Sequence, residues 1–503
     1  MTIKLNQTTS ALPQLNTDHR QERWLFMLFI LLIIGRLLPL GTLHLALFYD
    51  EAYYHFWAVH PDWGYYSKPP MVAWLIAATT RLFGHAEWAV RISSPLLYAG
   101  AAYFVYLCGK ALYSQRVGLW AALIFYSSPL VTFNSVFVTT DAPLLLFWGG
   151  ACWLFILALQ KNQLRWWSLC GIALGLGLLS KYTLALVMIG MAIYLIASRS
   201  NAYGKGPWLA LLLAIVIFLP NLIWNAQSGF ISFVHTAEIS KLSHQLVHPG
   251  KFFEFFGGQF LVFGPISMLL LLIYTFRMRH QPHWLLLVTL SWPLLLLMCI
   301  QAFLAKANAN WAAPSYLLAS LLIAAGLQIK QRHRWLAALL GLNIFCAVVL
   351  FSYPLLQKAL AIEPTRHNTP YRRVLGWREL MHHVQQKIPD AAQQNWVSSS
   401  RMLLSYAHYY LSDWPAHQPT HVFSFNPHRE IRDQFDLRYD IAQAQAHSFI
   451  FMSQSPLQLQ GCFQSIQPLG IVSQTKYVHL QRSVYLYRVT GFKGYENCST
   501  AQH

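Results

Sequence analysis

Two adjacent carboxylates, Asp50 and Glu51, open the stretch YDEAYYHFWAVHPDWGYYSKPP just after a long apolar segment. A carboxylate at the mouth of a membrane helix can serve as a general base or as a ligand for a hard divalent cation. The same pair can equally complement the dipole of a helix start. Helical neighbours diverge by about 100°, so both cannot face one point unless one precedes the helix. DEAYYHFWAVH therefore predicts a short helix with Asp50 at its N-cap. Lys68, in YYSKPP, stands before a second predicted helix, PPMVAWLIAATTRLF, which opens on proline and is placed in or near the outer interface. A cation at a positive helix end suits a phosphate. Pro69 and Pro70 supply no amide donors, which leaves Lys68 as a point charge, and interfacial snorkelling is the competing role. Asp141, in TTDAP, returns a carboxylate to the same outer level, where it can also be an ordinary cap. Lys181 and the run Lys306, Asn308, Asn310 and Trp311 join that level. Amides and aromatic rings suit sugars, and they equally suit an interfacial belt. The row Tyr53, Tyr54, Phe56, Trp57, Trp63, Tyr65 and Tyr66 has both readings too.

The elements that must position these side chains are membrane helices. The chain has 503 residues, is 55% hydrophobic and only 11% charged, where a soluble domain carries roughly a quarter. Apolar windows of about 17–25 residues, each able to cross a bilayer, recur from Trp24 to Tyr353. About eleven spans are predicted, near 24–48, 88–109, 117–138, 142–160, 166–180, 182–198, 207–225, 256–276, 284–304, 312–328 and 335–353. The first 23 residues are polar, and the first span reads as a signal anchor. Connections on the N-terminal side carry Lys110, Arg116, Lys161, Arg165, Arg199, Lys205, Arg277, Arg279, Lys330, Arg332 and Arg334, with no acid among them. That is the positive-inside pattern, and it predicts a cytoplasmic N-terminus and an exported tail. The formal charge of +18 is thereby explained without a nucleic-acid partner. Asp50, Glu51, Asp62, Glu87, Asp141, Glu238 and Glu254 all fall on the outer side.

Residues 1–353 form the predicted membrane domain, with outer loops at 49–87 and 226–255, and 354–503 a small extracytoplasmic α/β domain. In the tail, GWRELMHHVQQKI and RMLLSYAHYYL have helical periodicity, whereas HVFSF, SFIFM and SVYLYRV are β-rich. Cys462 and Cys498 lie in this tail, where an oxidising compartment permits a disulfide that spacing alone does not decide. The other five cysteines fall in spans as packing residues. Arg36 stands inside the first span, facing the bundle or snorkelling. His244 and His248, four apart, read as a surface pair, and no Walker, dinucleotide or zincin motif is present.

FYDEAYYHFWAVHPDWGYYSKPPMVAWL, TTDAPLLLFW, GLGLLSKYT, NLIWNAQSGFISFVHTAE and KANANWAAPSY resemble, in order, the bacterial branch of the protein O-mannosyltransferase-like superfamily. These are glycosyltransferases of the GT-C class, similar to the lipid A aminoarabinose transferase and the lipopolysaccharide galacturonosyltransferases. The resemblance implies a polytopic all-α inner-membrane domain of GT-C type with a periplasmic α/β domain. It implies transfer of a sugar, with inversion, from a polyprenyl-phosphate donor to lipid A, another glycolipid or a protein hydroxyl. By position, Asp50 matches the first-loop aspartate such enzymes need, Lys68 a lysine on the donor phosphate, and Asp141 a second acid near the catalytic cavity. Glu51 belongs to the same signature and is grouped with the catalytic acids. A divalent metal ion at Asp50 remains open, as do the sugar and the acceptor. A polytopic transporter of an envelope precursor is the alternative from another class; acids at the outer level rather than mid-membrane, and no paired repeat, weigh against it.

Overall fold

The computed structural model describes residues 19–43, 45–198, 203–239, 247–365, 367–457, 459–477 and 480–500. Hydrocarbon offers the backbone no hydrogen-bond partners, so apolar segments of this length fold as helices. Among the described residues, six helices are long and apolar enough to cross a bilayer: His19–Thr42, Glu87–Leu112, Asp141–Lys161, Gly206–Gln227, Trp284–Leu304 and His333–Ala359. Shorter apolar helices are Met71–Phe83, Leu164–Leu178, Tyr182–Ala197 and Ser315–Ile329. The protein is a multi-pass membrane protein. The chain divides into two compact units, one of Met1–Thr42, Lys68–Val72 and Arg91–Tyr353, the other of Leu43–Ser67, Ala73–Val90 and Pro354–His503.

The first unit is a helical bundle packed through small residues. A Cβ on Gly109 would lie 2.4 Å from the Cα of Gly118, and one on Gly171 would lie 2.4 Å from the Ala210 carbonyl. Helices in lipid gain their association from such close backbone approach. Arg36 faces the bundle rather than snorkelling. It donates to the Tyr126 carbonyl and, at 3.0 Å, to Thr132 Oγ1, and its guanidinium lies 3.7 Å over the Tyr126 ring. Those contacts offset the cost of a charge in a span.

Six described helices are of span length where about eleven crossings were expected, and two of the predicted segments are visibly broken. The segment near 256–276 is two helices, Pro249–Val262 and Pro265–Arg277, bent by 106°. The cause is local: Gly264 takes φ 100°, which a side chain would resist, and Pro265 has no N–H to continue the ladder. The segment 117–138 stops as a helix at Ser127, and Pro129 opens a separate short helix, Pro129–Asn134.

In the second unit, the first-loop helix runs Tyr49–Val59 with Phe48 at its N-cap. Asp50 is therefore not the cap, as the sequence predicted; it lies in the first turn. Glu51 makes the capping contact, its Oε2 accepting from the Phe48 amide at 2.9 Å. The tail helices are Trp377–Lys387 and Arg401–Tyr410. A five-stranded sheet centres on Asn395–Ser398, Ser448–Ser453 and Leu480–Phe492. Asn395–Ser398 pairs in parallel with His421–Ser424 and with Ser448–Ser453. Leu480–Phe492 is antiparallel to Ser448–Ser453 and to the edge strand Phe463–Tyr477. That edge strand carries Pro468 at a register shift, a position where a missing N–H is tolerated. A disulfide joins Cys462 to Cys498, with Cα atoms 4.4 Å apart. Of the second outer loop, Ile231–Ile239 is helical; residues 240–246, including His244, lie outside the described residues.

Candidate functional site

Each unit holds a candidate catalytic carboxylate of the sequence reading against a cation. In the first unit, Asp141 opens the helix Asp141–Lys161, where the macrodipole favours negative charge. Its Oδ1 accepts from Lys181 Nζ at 2.6 Å and its Oδ2 from Asn310 Nδ2 at 2.9 Å. The carboxylate side chain is 6% exposed and the lysine 16%. Three chain-distant residues thus meet at one buried charge. The segment carrying Lys68 is tied to the same neighbourhood, because the Met71 amide donates to the Leu179 carbonyl at 3.0 Å, two residues before Lys181. Lys68 itself is half-buried. Lys306 and Asn308 are exposed and, unlike Asn310, do not bond Asp141.

In the second unit, Asp50 Oδ1 accepts from a terminal nitrogen of Arg401 at 3.2 Å, with the two side chains 33% and 30% exposed. Arg401 also lies over the rings of Tyr49 and Tyr53, 5.3 and 4.9 Å from their centroids. Burial pulls the Arg401 pKa down, but Asp50 and the neighbouring tyrosines outweigh it and the pKa is raised. Arg401 escaped the sequence reading. A signal was present: it is the first residue of a helix, where a cation opposes the dipole, and such a residue needs another partner.

The loop aromatics other than Trp63 are packed inside this unit. Tyr53, Tyr54 and Tyr66 are all buried. The Tyr53 hydroxyl accepts from the Gln434 amide at 2.5 Å, and the Tyr66 amide donates to Gln434 Oε1 at 2.8 Å. Trp57 and Tyr65 stack at 4.5 Å. A histidine cluster adjoins Phe56, whose ring meets His60 and His408 at 4.7 and 4.9 Å. His55 Nε2 and His85 Nδ1 are 2.8 Å apart, and Trp414 stacks on His85 at 4.3 Å. Burial pushes the His408 imidazole down to about 3 and His55 well below the usual range. Asp433 moves oppositely, up to about 6, through burial and then the charge of Asp436. Among the described residues no three His, Cys, Asp or Glu side chains converge as a metal site. The cation that neighbours Asp50 is a guanidinium.

Known proteins share this architecture. ArnT from Cupriavidus metallidurans, in its apo state, superposes with a TM-score of 0.64 at 14% identity, covering 93% of this chain and 98% of ArnT. The fold is that of ArnT. The ArnT structure bound to undecaprenyl phosphate matches equally, with a TM-score of 0.64 and 13% identity over 92% of this chain and 98% of ArnT. Within the ArnT fold, residues 67–224 match the family described as dolichyl-phosphate-mannose-protein mannosyltransferase. That stretch contains Lys68, Asp141 and Lys181. The lipid A galacturonosyltransferase RgtD of Rhizobium johnstonii is 35% identical over 280 residues, 55% of this chain and 59% of RgtD. The undecaprenyl phosphate-alpha-4-amino-4-deoxy-L-arabinose arabinosyl transferase of Pseudomonas paraeruginosa is 32% identical over 166 residues, 31% of this chain and 30% of that protein. The chain thus spans about three fifths of the first relative and under a third of the second. These likenesses agree with the resemblance to GT-C glycosyltransferases carried by the signature segments.

Proposed function

We propose that this protein is a membrane glycosyltransferase that moves a sugar from a polyprenyl-phosphate donor to an envelope glycolipid, lipid A foremost, with a protein hydroxyl as the other acceptor class. The observation that carries the reading is the 280-residue likeness to RgtD, named for galacturonate transfer to lipid A. The ArnT fold, which holds undecaprenyl phosphate in one structure, supports it. About eleven membrane crossings in the bacterial inner membrane, a cytoplasmic N-terminus and a periplasmic domain over 354–503 complete the proposed arrangement; the positive-inside charge pattern supports the orientation. Membrane lipid surrounds the donor's polyprenyl tail.

In this reading Lys68 holds the donor phosphate as a point charge and stabilises it as it leaves. Lys181, Asp141 and Asn310 form a fixed polar group that positions the sugar; Lys306 and Asn308 are surface contacts for the acceptor. Asp50 takes the proton of an acceptor hydroxyl as that oxygen attacks the anomeric carbon from the face opposite the phosphate, with inversion. An acceptor phosphate needs no base, and Asp50 then only orients it. Glu51 acts on the helix that carries Asp50. The test is mass spectrometry of lipid A and total envelope glycolipids from a deletion strain, the strain restored with wild type, and the strain restored with Asp50→Asn. A sugar-sized mass lost on deletion and returned by wild type alone supports the assignment. Return of that mass with Asp50→Asn removes Asp50 from the chemistry, and no change in any strain turns attention to glycoproteins and then to transport.

A further inference from the structure

The first unit holds an apolar cleft at the end of the bundle away from Lys181. Its walls come mainly from the helices Leu164–Leu178, Ala185–Ala197 and Gly206–Gln227. Trp167 and Cys170 line it from the first, Met191 and Leu195 from the second, and Pro207 and Leu211 from the third, around about 340 Å³ of space. Gly171 lets the first helix meet the third at the Ala210 backbone, so these two walls are locked together. The helix Leu164–Leu178 alone rises about 20 Å between Arg165 and the Lys181 end.

The mouth of the cleft is cationic. Arg165 stands two residues before Trp167, and Lys205 two before Pro207. Lys161 shares the Trp166 ring with Arg165, its Nζ 4.7 Å and the arginine Cζ 5.1 Å from the centroid. One ring therefore gathers two like charges. The helices Leu164–Leu178 and Gly206–Gln227 both begin here and add their positive dipole ends. The chain supplies no counter-charge. Residues 142–237 contain no Asp or Glu, and Glu22 on the first span meets His19 instead, at 3.7 Å. Among the described residues, Lys161, Arg165 and Lys205 enter no ion pair. Trp167 is 2% exposed, and its indole N–H has no acceptor among the described residues.

A soluble phosphate would leave the cleft empty, and a neutral lipid would leave the cations unbalanced. A molecule with an acyl chain and an anionic head satisfies both. We propose that this cleft binds an anionic glycerophospholipid, with an acyl chain between the helices and the phosphodiester headgroup among Lys161, Arg165 and Lys205. The site stands apart from the glycosyl-transfer reading, because it uses neither donor nor acceptor.

The test uses the full-length protein, purified in detergent, stripped of lipid and exposed to an equimolar mixture of phosphatidylglycerol and phosphatidylcholine with identical acyl chains. Native mass spectrometry reads the lipid retained. Wild type should retain phosphatidylglycerol in preference. Lys161→Gln, Arg165→Gln and Lys205→Gln should each lower that preference by about 5-fold, the worth of one Lys or Arg at an anionic lipid surface. Ala192 is exposed and also lines the cleft; Ala192→Trp fills it and should lose the retained lipid with every charge kept. The combined Lys330→Gln and Arg334→Gln variant removes two exposed cations from another connection and should leave the preference unchanged. Equal retention of both lipids by wild type overturns the site, as does undiminished retention by Ala192→Trp. An equal fall in the Lys330 and Arg334 variant also overturns it, because the attraction would then belong to the whole basic face.

Discussion

Replacing Lys181 by methionine keeps the aliphatic stem and removes the ammonium that touches Asp141 at 2.6 Å. The carboxylate is 6% exposed, so water cannot take the place of the cation. Deleting one partner of a buried pair costs ~3–5 kcal/mol. Two features place this loss at the low end. Asn310 still donates at 2.9 Å, and Asp141 opens a helix whose dipole contributes up to ~1 kcal/mol. The expected loss is therefore ~3 kcal/mol. Asp141→Asn leaves an ammonium on a flexible stem that can turn toward water, and should cost less, ~2 kcal/mol. The combined variant strands no charge and should cost no more than the milder single change, a coupling of ~3 kcal/mol. Chemical denaturation of the detergent-solubilised protein and the three variants, followed by tryptophan fluorescence, measures the cycle. Losses that add to within about 0.5 kcal/mol would mean that carboxylate and ammonium act independently, and would refute the buried pair as the organiser of the first unit's polar group.

The second unit should lose stability in mild acid through His408. Its folded-state pKa of about 3 lies below the ordinary 6.5, so the unfolded chain takes up a proton first and stability falls as pH drops from 6.5 toward 3. Between pH 7 and 5 that is ~2 kcal/mol. Asp433, raised to about 6, returns ~1 kcal/mol over the same interval. His408→Asn should therefore remove ~2 kcal/mol of acid destabilisation over that interval relative to wild type, and parallel curves for variant and wild type would contradict the account. Glu51→Ala should cost ~1 kcal/mol through the lost cap and Glu51→Gln much less. Transfer by Glu51→Gln reduced as far as by Asp50→Asn would return Glu51 to the chemistry.

Much of the architecture was legible because its signals are local. Lipid forces an apolar run into a helix, and alternation marks a strand, so the helical character of the apolar runs, the tail helices and HVFSF, SFIFM and SVYLYRV could be read residue by residue, whereas six of the described helices are long and apolar enough to cross. Misreadings arose where a few residues overrode the average. Gly264 and Pro265 bend a hydrophobic run that hydropathy treats as continuous. At the first-loop helix, two adjacent acids obscured the cap: Phe48 is the N-cap, and Glu51 rather than Asp50 accepts from its amide. Asn395–Ser398 is central to the sheet yet too short to announce itself.

Residue types and outer level marked Asp50, Lys68 and Asp141 as candidates among others, and the family resemblance of their segments singled them out. Their partners came only with the tertiary structure. Asp141, Lys181 and Asn310 are brought together from three separate helical regions, and Asp50 meets an arginine 351 positions away. A carboxylate's own sequence neighbourhood does not encode which distant donor will face it. That choice is made by the packing of whole elements, through contacts at Gly109 and Gly171 in one unit and the aromatic stack around Trp57 in the other, and the charges follow the backbones that carry them.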